Sequence, residues 1–561
     1  MADRERSVWG WGDADRFPDA DERRALARRL ETELGFPERP LLEPTPLAEA
    51  TIPASRIDPP AVLADGCTAD REARARHTYG KGYPDLVRGF RGAFDPAPDL
   101  VAVPESEGDV ADLLAWATDE RVAVVPFGGG TSVVGGVEPT GDEGSMADSV
   151  GGGGRLGDGD EFAGVVSLDL RNLDGVRDVD EISRRARIGA GALGPEINDA
   201  LADHDLQLRH YPQSYEFSTL GGWIATRAGG HFATVYTHID DFVENVRAVT
   251  PAGTLETLDV PASGAGPDPN RFLLGSEGSF GVITEAWMRV QPRPPYRSRA
   301  TVRFADFDEA VAATREIAQA RLYPANCRLL DATEAMINEL ATDGSHLLVL
   351  GFEGLDAPVA DDLERALAIC ADRGGRSPAG PTHEDRTGGD GGGAAGGERD
   401  REDTEGEWRS SFFEAPYLFN ALVSVGVLVD TFETAVTWDR FPDLHAALQQ
   451  EVTAAVREAC GAGVLSCRFT HVYPDGPAPY YTLLAPAEPG RELEQWRAIK
   501  RTASDVLAAH DATITHHHAV GRVHREGYER EAPDAYLDAL RSTKRTLDPA
   551  GIMNPGALLS T

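Results

Sequence analysis

The sequence predicts a large α+β protein of at least two domains, and three observations carry that prediction. The chain has 561 residues, more than one hydrophobic core usually organises. Residues 100–126 read as strand, helix, strand: Leu-Val-Ala-Val from Leu100, an N-cap at Ser106, then Val110, Leu113, Leu114 and Ala117 at helical spacing before the β-branched run 122–126. Beyond Pro292-Arg-Pro-Pro295 the composition shifts. Strands alternate with helices over 300–372, the helices at 307–320 and 357–371, and this opens a second domain.

The other elements follow in order. Residues 1–92 join one helical stretch, 21–34, to proline-rich irregular segments and read as an arm on the main body. Strands at 165–168 and 186–188 precede a helix that Gly194-Pro195 opens, with proline in its first turn, and that ends near His204. Residues 438–460 and 493–510 have helical patterns, whereas 464–473 and 480–484 read as strands. Two stretches, 141–161 and 374–406, are rich in Gly, Asp and Glu and poor in apolar residues. Such composition cannot bury enough surface to offset ordering, so both are expected to be disordered, dispensable surface insertions. The expected division is an arm (1–92), a first domain (93–295), a second domain (296–515) and a C-terminal segment (516–561) that completes the active site.

Composition narrows the functional classes. No apolar run of about 18 residues is present and the N-terminus lacks the apolar segment of a signal peptide, so a cytoplasmic protein without a transmembrane segment is expected. The five cysteines (67, 327, 370, 460, 467) are scattered without C-x-x-C pairs, which argues for reduced thiols and against a cysteine-built zinc or iron–sulfur site. Asp plus Glu number 92 against 54 Lys plus Arg, a formal charge of −38 spread along the chain. That is an acidic, halophilic-type surface, suited to salt that screens self-repulsion, and it speaks against nucleic-acid binding, which needs a basic face.

The stretch Val122-Ala-Val-Val-Pro-Phe-Gly-Gly-Gly-Thr-Ser-Val-Val-Gly-Gly136 joins a strand to a glycine run followed by two hydroxyls. Glycines let backbone N–H groups turn inward, and Thr131 and Ser132 add donors for an anion. The following residues are β-branched, glycine-rich and closed by Pro139, a poor helix, and no Gly-Lys-Ser/Thr follows; this is neither a Rossmann fingerprint nor a P-loop. Taken alone, the glycines suit a phosphate cradle and a plain turn equally. Two further small-residue blocks, 211–230 and 274–286, suggest one extended ligand lying across several turns.

The three blocks together, with Trp9-Gly-Trp-Gly12, Ser214-Tyr-Glu-Phe-Ser-Thr219, Thr226-Arg-Ala228, Glu277-Gly-Ser-Phe-Gly-Val-Ile283, Phe432-Glu-Thr434, Trp438-Asp-Arg440, His516-His-His518 and Asp548-Pro549, resemble the flavoproteins of the vanillyl-alcohol oxidase fold. Among them the likeness is strongest to the alkyldihydroxyacetonephosphate synthases, and more distant to FAD-linked D-lactate, glycolate and 2-hydroxyglutarate dehydrogenases. It covers nearly the whole chain outside the two insertions. The resemblance implies a two-subdomain FAD-binding fold with an α+β substrate (cap) domain. It also implies FAD contacts from Pro126, Phe127, Gly128, Gly129, Gly130, Thr131 and Ser132 at the pyrophosphate. Gln213, Ser214, Tyr215, Glu216, Phe217, Ser218, Thr219, Thr226, Arg227, Ala228 and Gly229 would lie along the ribityl and flavin region. Glu277, Gly278, Ser279, Phe280, Gly281, Val282 and Ile283 would close the adenosine side. No His or Cys lies between Val122 and Gly136, so the FAD is expected to be non-covalent.

Thr515-His-His-His-Ala-Val-Gly521 is the sharpest polar cluster. On an extended segment His516 and His518 would share one pocket and His517 would face away. A metal reading would need further ligands, for which His471 and His524 are in the chain; no metal is assigned. The bland reading is a hydrogen-bonded surface cluster. The resemblance places the run beside the flavin in proton transfer, Tyr480 as the catalytic phenol with Tyr481 as the alternative register, and Arg328 as a substrate-side guanidinium rather than a surface partner of Asp331.

One departure matters: the synthases have Tyr-Ile-Arg-Asp where this chain has Tyr417-Leu-Phe-Asn420, so Phe419 replaces a second arginine. The hydroxy-acid enzymes' His-x-x-Gly-Asp-Gly-x-x-His and Glu-His-Gly-Val-Gly have only partial equivalents here, at His471, Asp475, Gly476 and Tyr480 and at His517-His518. The expected function is therefore an FAD-dependent oxidoreductase passing hydride from a small hydroxy acid to flavin N5. The alternatives are redox-neutral ether formation of the synthase type, and a non-catalytic flavin-binding protein. The expected partners are a small-molecule substrate, an electron acceptor and a second copy of the chain in a homodimer.

Overall fold

A computed structural model describes residues 5–140, 156, 162–386 and 416–560. Its architecture is α+β, with three main sheets. The smallest has four strands in the order Cys67–Thr68, Leu100–Ala102, Gly164–Asp169, Val122–Phe127; the last two pairings are parallel. The helix Glu107–Glu120 connects two of these strands, started by the expected Ser106 cap, which accepts from the Asp109 N–H and is matched by Asp109 bonding back. Val110, Leu113, Leu114 and Ala117 bury its apolar stripe against this sheet.

The second sheet is antiparallel, ordered Val176–Asp180, Arg185–Gly189, Val282–Arg289, Val243–Thr250, Gly253–Glu256. The third is a seven-stranded antiparallel sheet in the order Thr382–Asp385, Tyr296–Phe304, His346–Gly354, Asn326–Leu330, Val464–Val472, Pro477–Pro486, Val427–Glu433. Helices Phe307–Gln319, Ala360–Asp372, Phe441–Cys460 and Glu492–Ala509 pack on it through one continuous apolar core.

Two expectations need correction. The stretch 374–406 is not wholly an insertion: Thr382–Asp385 pairs with Tyr296–Arg299 as an edge strand, because the ladder and the Arg299–Glu384 ion pair anchor a segment whose composition alone looked unstructured. The rest of that stretch, from 387, lies outside the described residues, as does 141–161 apart from Leu156. Leu156 is buried in the core of the first sheet, and its carbonyl accepts from Arg56, so one residue of that glycine-rich run is an anchor. All five cysteines are free. Among the described residues no helix is long and apolar enough to cross a membrane.

Candidate active site and cofactor cleft

The three small-residue blocks converge on one cleft enclosing about 1660 Å³ of atom-free space, its open mouth included. Residues 126–132 all line it, as do Gln213, Ser214, Ser218, Thr219, Thr226, Ala228, Gly229, Glu277, Gly278, Gly281 and Ile283. The close approach explains the glycines. A Cβ on Gly129 would run into the Phe217 carbonyl, and one on Gly130, whose φ is +65°, into the Phe127 ring.

The chain's C-terminal region braces these turns. Val124 donates to the Ile552 carbonyl (2.8 Å) and accepts from the Asn554 N–H (2.8 Å), and the Asn554 side chain donates to the carbonyls of Gly136 (2.9 Å) and Glu277 (2.6 Å). The Glu277 carboxylate accepts from the N–H groups of Val520 (2.9 Å) and Gly521 (2.8 Å); burial nevertheless pushes its carboxyl up to about 7.

The other residues of the blocks hold the turns from behind. Tyr215 donates to the Gly194 carbonyl (2.7 Å), Phe217 packs edge-on against Tyr417, Arg227 reaches Asp240, and Ser279 reaches the Ala557 carbonyl. Phe280 and Val282 are buried in apolar clusters, and Glu216 is exposed. Loop blocks were legible as blocks; which residue of each faces the ligand depends on turn geometry that period-2 or period-3.6 patterning does not encode.

At one end of the cleft stand Arg328, Arg468, His471, Tyr480, His517 and His518. The run 515–518 is not extended. Its backbone folds around the buried Glu433 carboxylate, which accepts from Thr515 Oγ1 (2.5 Å) and from the N–H groups of His516 (2.5 Å), His517 (3.1 Å) and His518 (2.9 Å). This overturns the expected alternation: His517 and His518 share the cleft, while His516 turns away and its Nε2 meets the Tyr473 hydroxyl (2.8 Å). His516 and His517 face each other through Nδ1 at 3.1 Å, while His471, its ring 4.9 Å from that of His516, contacts the Gly230 carbonyl through Nε2 (3.1 Å). His524 stands apart, its Nδ1 on the Ala519 carbonyl (2.9 Å). Burial lowers His517 to about 4 against the pull of Glu433, and holds His518 well below its ordinary value, so both rings are neutral near neutral pH.

Tyr480 lines the cleft, whereas Tyr481 packs into the core against Phe432. Tyr480 stacks on His517 at 5.9 Å and meets His518 edge-on at 5.4 Å; burial raises its phenol pKa, against the lowering effect of Arg468. Arg328 is fully buried and donates to the His231 carbonyl (2.7 Å); Asp331 instead caps the helix Ala332–Ile337. Burial and then Arg468 lower the Arg328 guanidinium to about 9, which leaves it charged.

Sequence reading missed Arg468, which is paired with buried Glu334 and aims into the cleft from Val464–Val472. The available signal was a guanidinium midway along an otherwise largely apolar strand, a place where charge is rarely buried without a partner. A register shift between Phe469 and His471 lets Thr470 and His471 both line the cleft. Trp11 closes the near side of the cleft. Asn420 clamps its backbone, accepting from the Trp11 N–H (2.8 Å) and donating to its carbonyl (3.0 Å).

Family models match in the order of these parts: the FAD-binding domain over 98–146 and 149–259, and the C-terminal domain of FAD-linked oxidases over 293–558. The chain belongs to the FAD-linked oxidases. Its cofactor is FAD, and its fold is the vanillyl-alcohol oxidase type expected from the motifs. The glycine-walled cleft suits such a cofactor, because side chains at 128–130 would occupy the space the turns need to approach it. Among the chain's relatives, the alkyldihydroxyacetonephosphate synthase of Trypanosoma brucei brucei is 28% identical, over 92% of this chain and 84% of its own. The glycolate oxidase subunit GlcD of Bacillus subtilis is 23% identical over 83% and 90%. A solved alkyldihydroxyacetonephosphate synthase superposes with a TM-score of 0.76 at 25% identity, covering 98% of both chains.

Proposed function

We propose that this FAD-linked oxidase family member carries out a redox-neutral transfer of the alkyldihydroxyacetonephosphate synthase type, in which a long-chain alcohol replaces the acyl group of acylated dihydroxyacetone phosphate. The observation that carries the reading is a second cavity with an aliphatic wall of Leu26, Leu30, Leu34, Ile337, Leu418, Leu422, Val429 and Leu484, and with Arg29, Glu33, Glu334, Asn338 and Thr482 as its polar lining. It shares Gln213, Phe419, Thr431, Arg468 and Tyr480 with the cofactor cleft. A small hydroxy acid would leave that aliphatic wall uncovered, whereas an alkyl chain laid against it gains about 0.8 kcal/mol per buried methylene. Phe419, which argued against an anionic substrate, belongs to this apolar wall. Arg468 beside Arg328 keeps two guanidiniums at the reacting end for a phosphate.

Bound FAD supplies a centre that takes up and returns an electron pair. Arg328 and Arg468 hold the phosphate, and the chamber orients the chain. With Nδ1 of His517 directed to His516 and Glu433, Nε2 is the nitrogen left to take a proton, and Tyr480 Oη relays one. The exchange balances as ester plus alcohol giving ether, carboxylate and one proton, which the histidines accept. The cofactor is held without a covalent bond in this reading: no His or Cys lies in 122–136, among the described residues no cysteine lines the cleft, and the histidines that do, His471, His517 and His518, are engaged with Gly230 and Glu433. The division at 92, 295 and 515 is consistent with the seven-stranded sheet falling wholly in 296–515.

The test is product analysis with acylated dihydroxyacetone phosphate and hexadecanol, alongside anaerobic flavin spectra with small hydroxy acids. Ether formation without flavin bleaching supports the reading. Bleaching by a hydroxy acid with no ether product overturns it in favour of the oxidoreductase.

A further inference from the structure

The histidine run has an anionic pivot that the proposed chemistry does not itself require. Glu433 ends the strand Val427–Glu433, where it stands in register with Tyr480, which in turn stands in register with Arg468 across the next strand. Side chains in one such row share a face. Its carboxylate collects one hydroxyl and three successive backbone N–H groups from 515–518, and lies 3.4 Å from His517 Nδ1 and 3.6 Å from His518 Nδ1. An anion in that position does two things: it bends the run so that adjacent histidines enter one cleft, and it biases Nδ1 of each toward carrying the proton, leaving Nε2 as the acceptor.

We propose that Glu433 is the positioning residue of the active site, aiming His517 and His518 at the substrate and setting their proton affinity through its charge. This rests on the reading of those histidines as the proton-handling groups. The other groups that bear on them are His238, His471, His516, Arg328 and Arg468 on the cleft side and Lys500 and His524 behind. Apart from Glu433 and the Tyr480 phenol, which packs on both rings and stays neutral because burial raises its pKa, each group is cationic or becomes so on protonation and disfavours a charged imidazole. Burial opposes ionisation of Glu433 itself, yet the three histidines hold its carboxyl well below the usual range.

Glu433→Gln keeps the shape and removes the charge; Glu433→Asp keeps the charge and withdraws it by one methylene. Three quantities are compared with wild type: bound FAD, the pH profile of turnover, and the pH at which the bound-flavin spectrum changes without substrate. Glu433→Gln is expected to retain FAD, lose about 10²-fold in turnover, and move the acid-side inflection down by about one pH unit. Glu433→Asp is expected to keep the inflection and lose rate. Should Glu433→Gln fail to hold FAD, the Asp variant decides alone: a wild-type rate overturns the aiming role. A Gln variant with unchanged rate and unchanged spectral inflection overturns the proposal outright. A shifted spectral inflection with unchanged turnover upholds the electrostatic coupling and refutes the use of these histidines in the reaction.

Discussion

Arg468 lies across the face of Tyr480, its guanidinium carbon 3.9 Å from the ring centroid. The guanidinium is thereby fixed between an acid, Glu334, and a phenol, and a flat fork cannot be replaced there by a point charge. Arg468→Lys should raise the KM for a phosphate-bearing substrate by about 10- to 100-fold, the scale of one charge-assisted hydrogen bond, with FAD content unchanged. An unchanged KM removes Arg468 from substrate binding. Arg468→Met is a poorer probe, because stranding buried Glu334 costs about 3–5 kcal/mol of stability.

The histidines differ in what they face, and their variants should differ accordingly. His517→Ala and His518→Ala should each lose about 10²- to 10⁴-fold in turnover with FAD retained. His516→Ala, whose ring meets Tyr473 outside the cleft lining, should lose less. Steady-state rates on FAD-matched protein check this, and equal losses at all three positions would mean that the run acts only as a structural unit.

The glycine loop makes a sharp demand. Gly129→Ala puts a methyl group on the Phe217 carbonyl and should reduce bound FAD, read as the ratio of visible to ultraviolet absorbance. Full occupancy in that variant would detach the loop from the cofactor. With the wild type, acid precipitation should release the yellow colour into the supernatant; colour in the pellet would mean a covalent flavin.

Acid should weaken the fold before it reaches the ordinary carboxylate range. His210 is held down to about 3, His445, His517 and His524 to about 4, and His471, His516 and His518 well below their ordinary value, with burial the leading cause in each. In the unfolded chain these rings take up protons as pH falls through about 6.5. Unfolding therefore binds protons between that value and the folded ones, and stability falls as pH falls through this window. Asp331 and Glu277, pushed up to about 7, and Asp85, to about 6, act in the opposite sense because the folded form keeps their protons; they are fewer. The Tm should drop between pH 6.5 and 4.5, and a level or rising Tm there would contradict this balance.

The formal charge of −38 predicts a salt requirement. Raising KCl from roughly 0.1 M to roughly 1 M shortens the screening length from about 10 Å to about 3 Å and should raise the Tm. A Tm indifferent to salt would show that paired arginines already neutralise the surface.

What the sequence revealed and what it hid divide along a physical line. Helices such as Phe307–Gln319 and the strand Val122–Phe127 were legible because their burial repeats with the period of the element. The glycine blocks were legible because a turn hugging a ligand excludes side chains. The facing of His516, His517 and His518 was not, because a carboxylate from a strand some eighty residues earlier bends that backbone. Neither was Arg468, whose partner Glu334 is 134 residues away. The edge strand Thr382–Asp385 hid inside a polar, glycine-bearing stretch because an edge needs only a ladder, not an apolar stripe.

The brace that Ile552 and Asn554 place on Val124 also orders events in time. Asn554 ties down Gly136 from 418 residues downstream, so a ribosome exposes the glycine loop long before the residues that steady it. A chain cut before Ile552 would lose both contacts on Val124 and those on Gly136 and Glu277, leaving the glycine loop present in sequence but without its support.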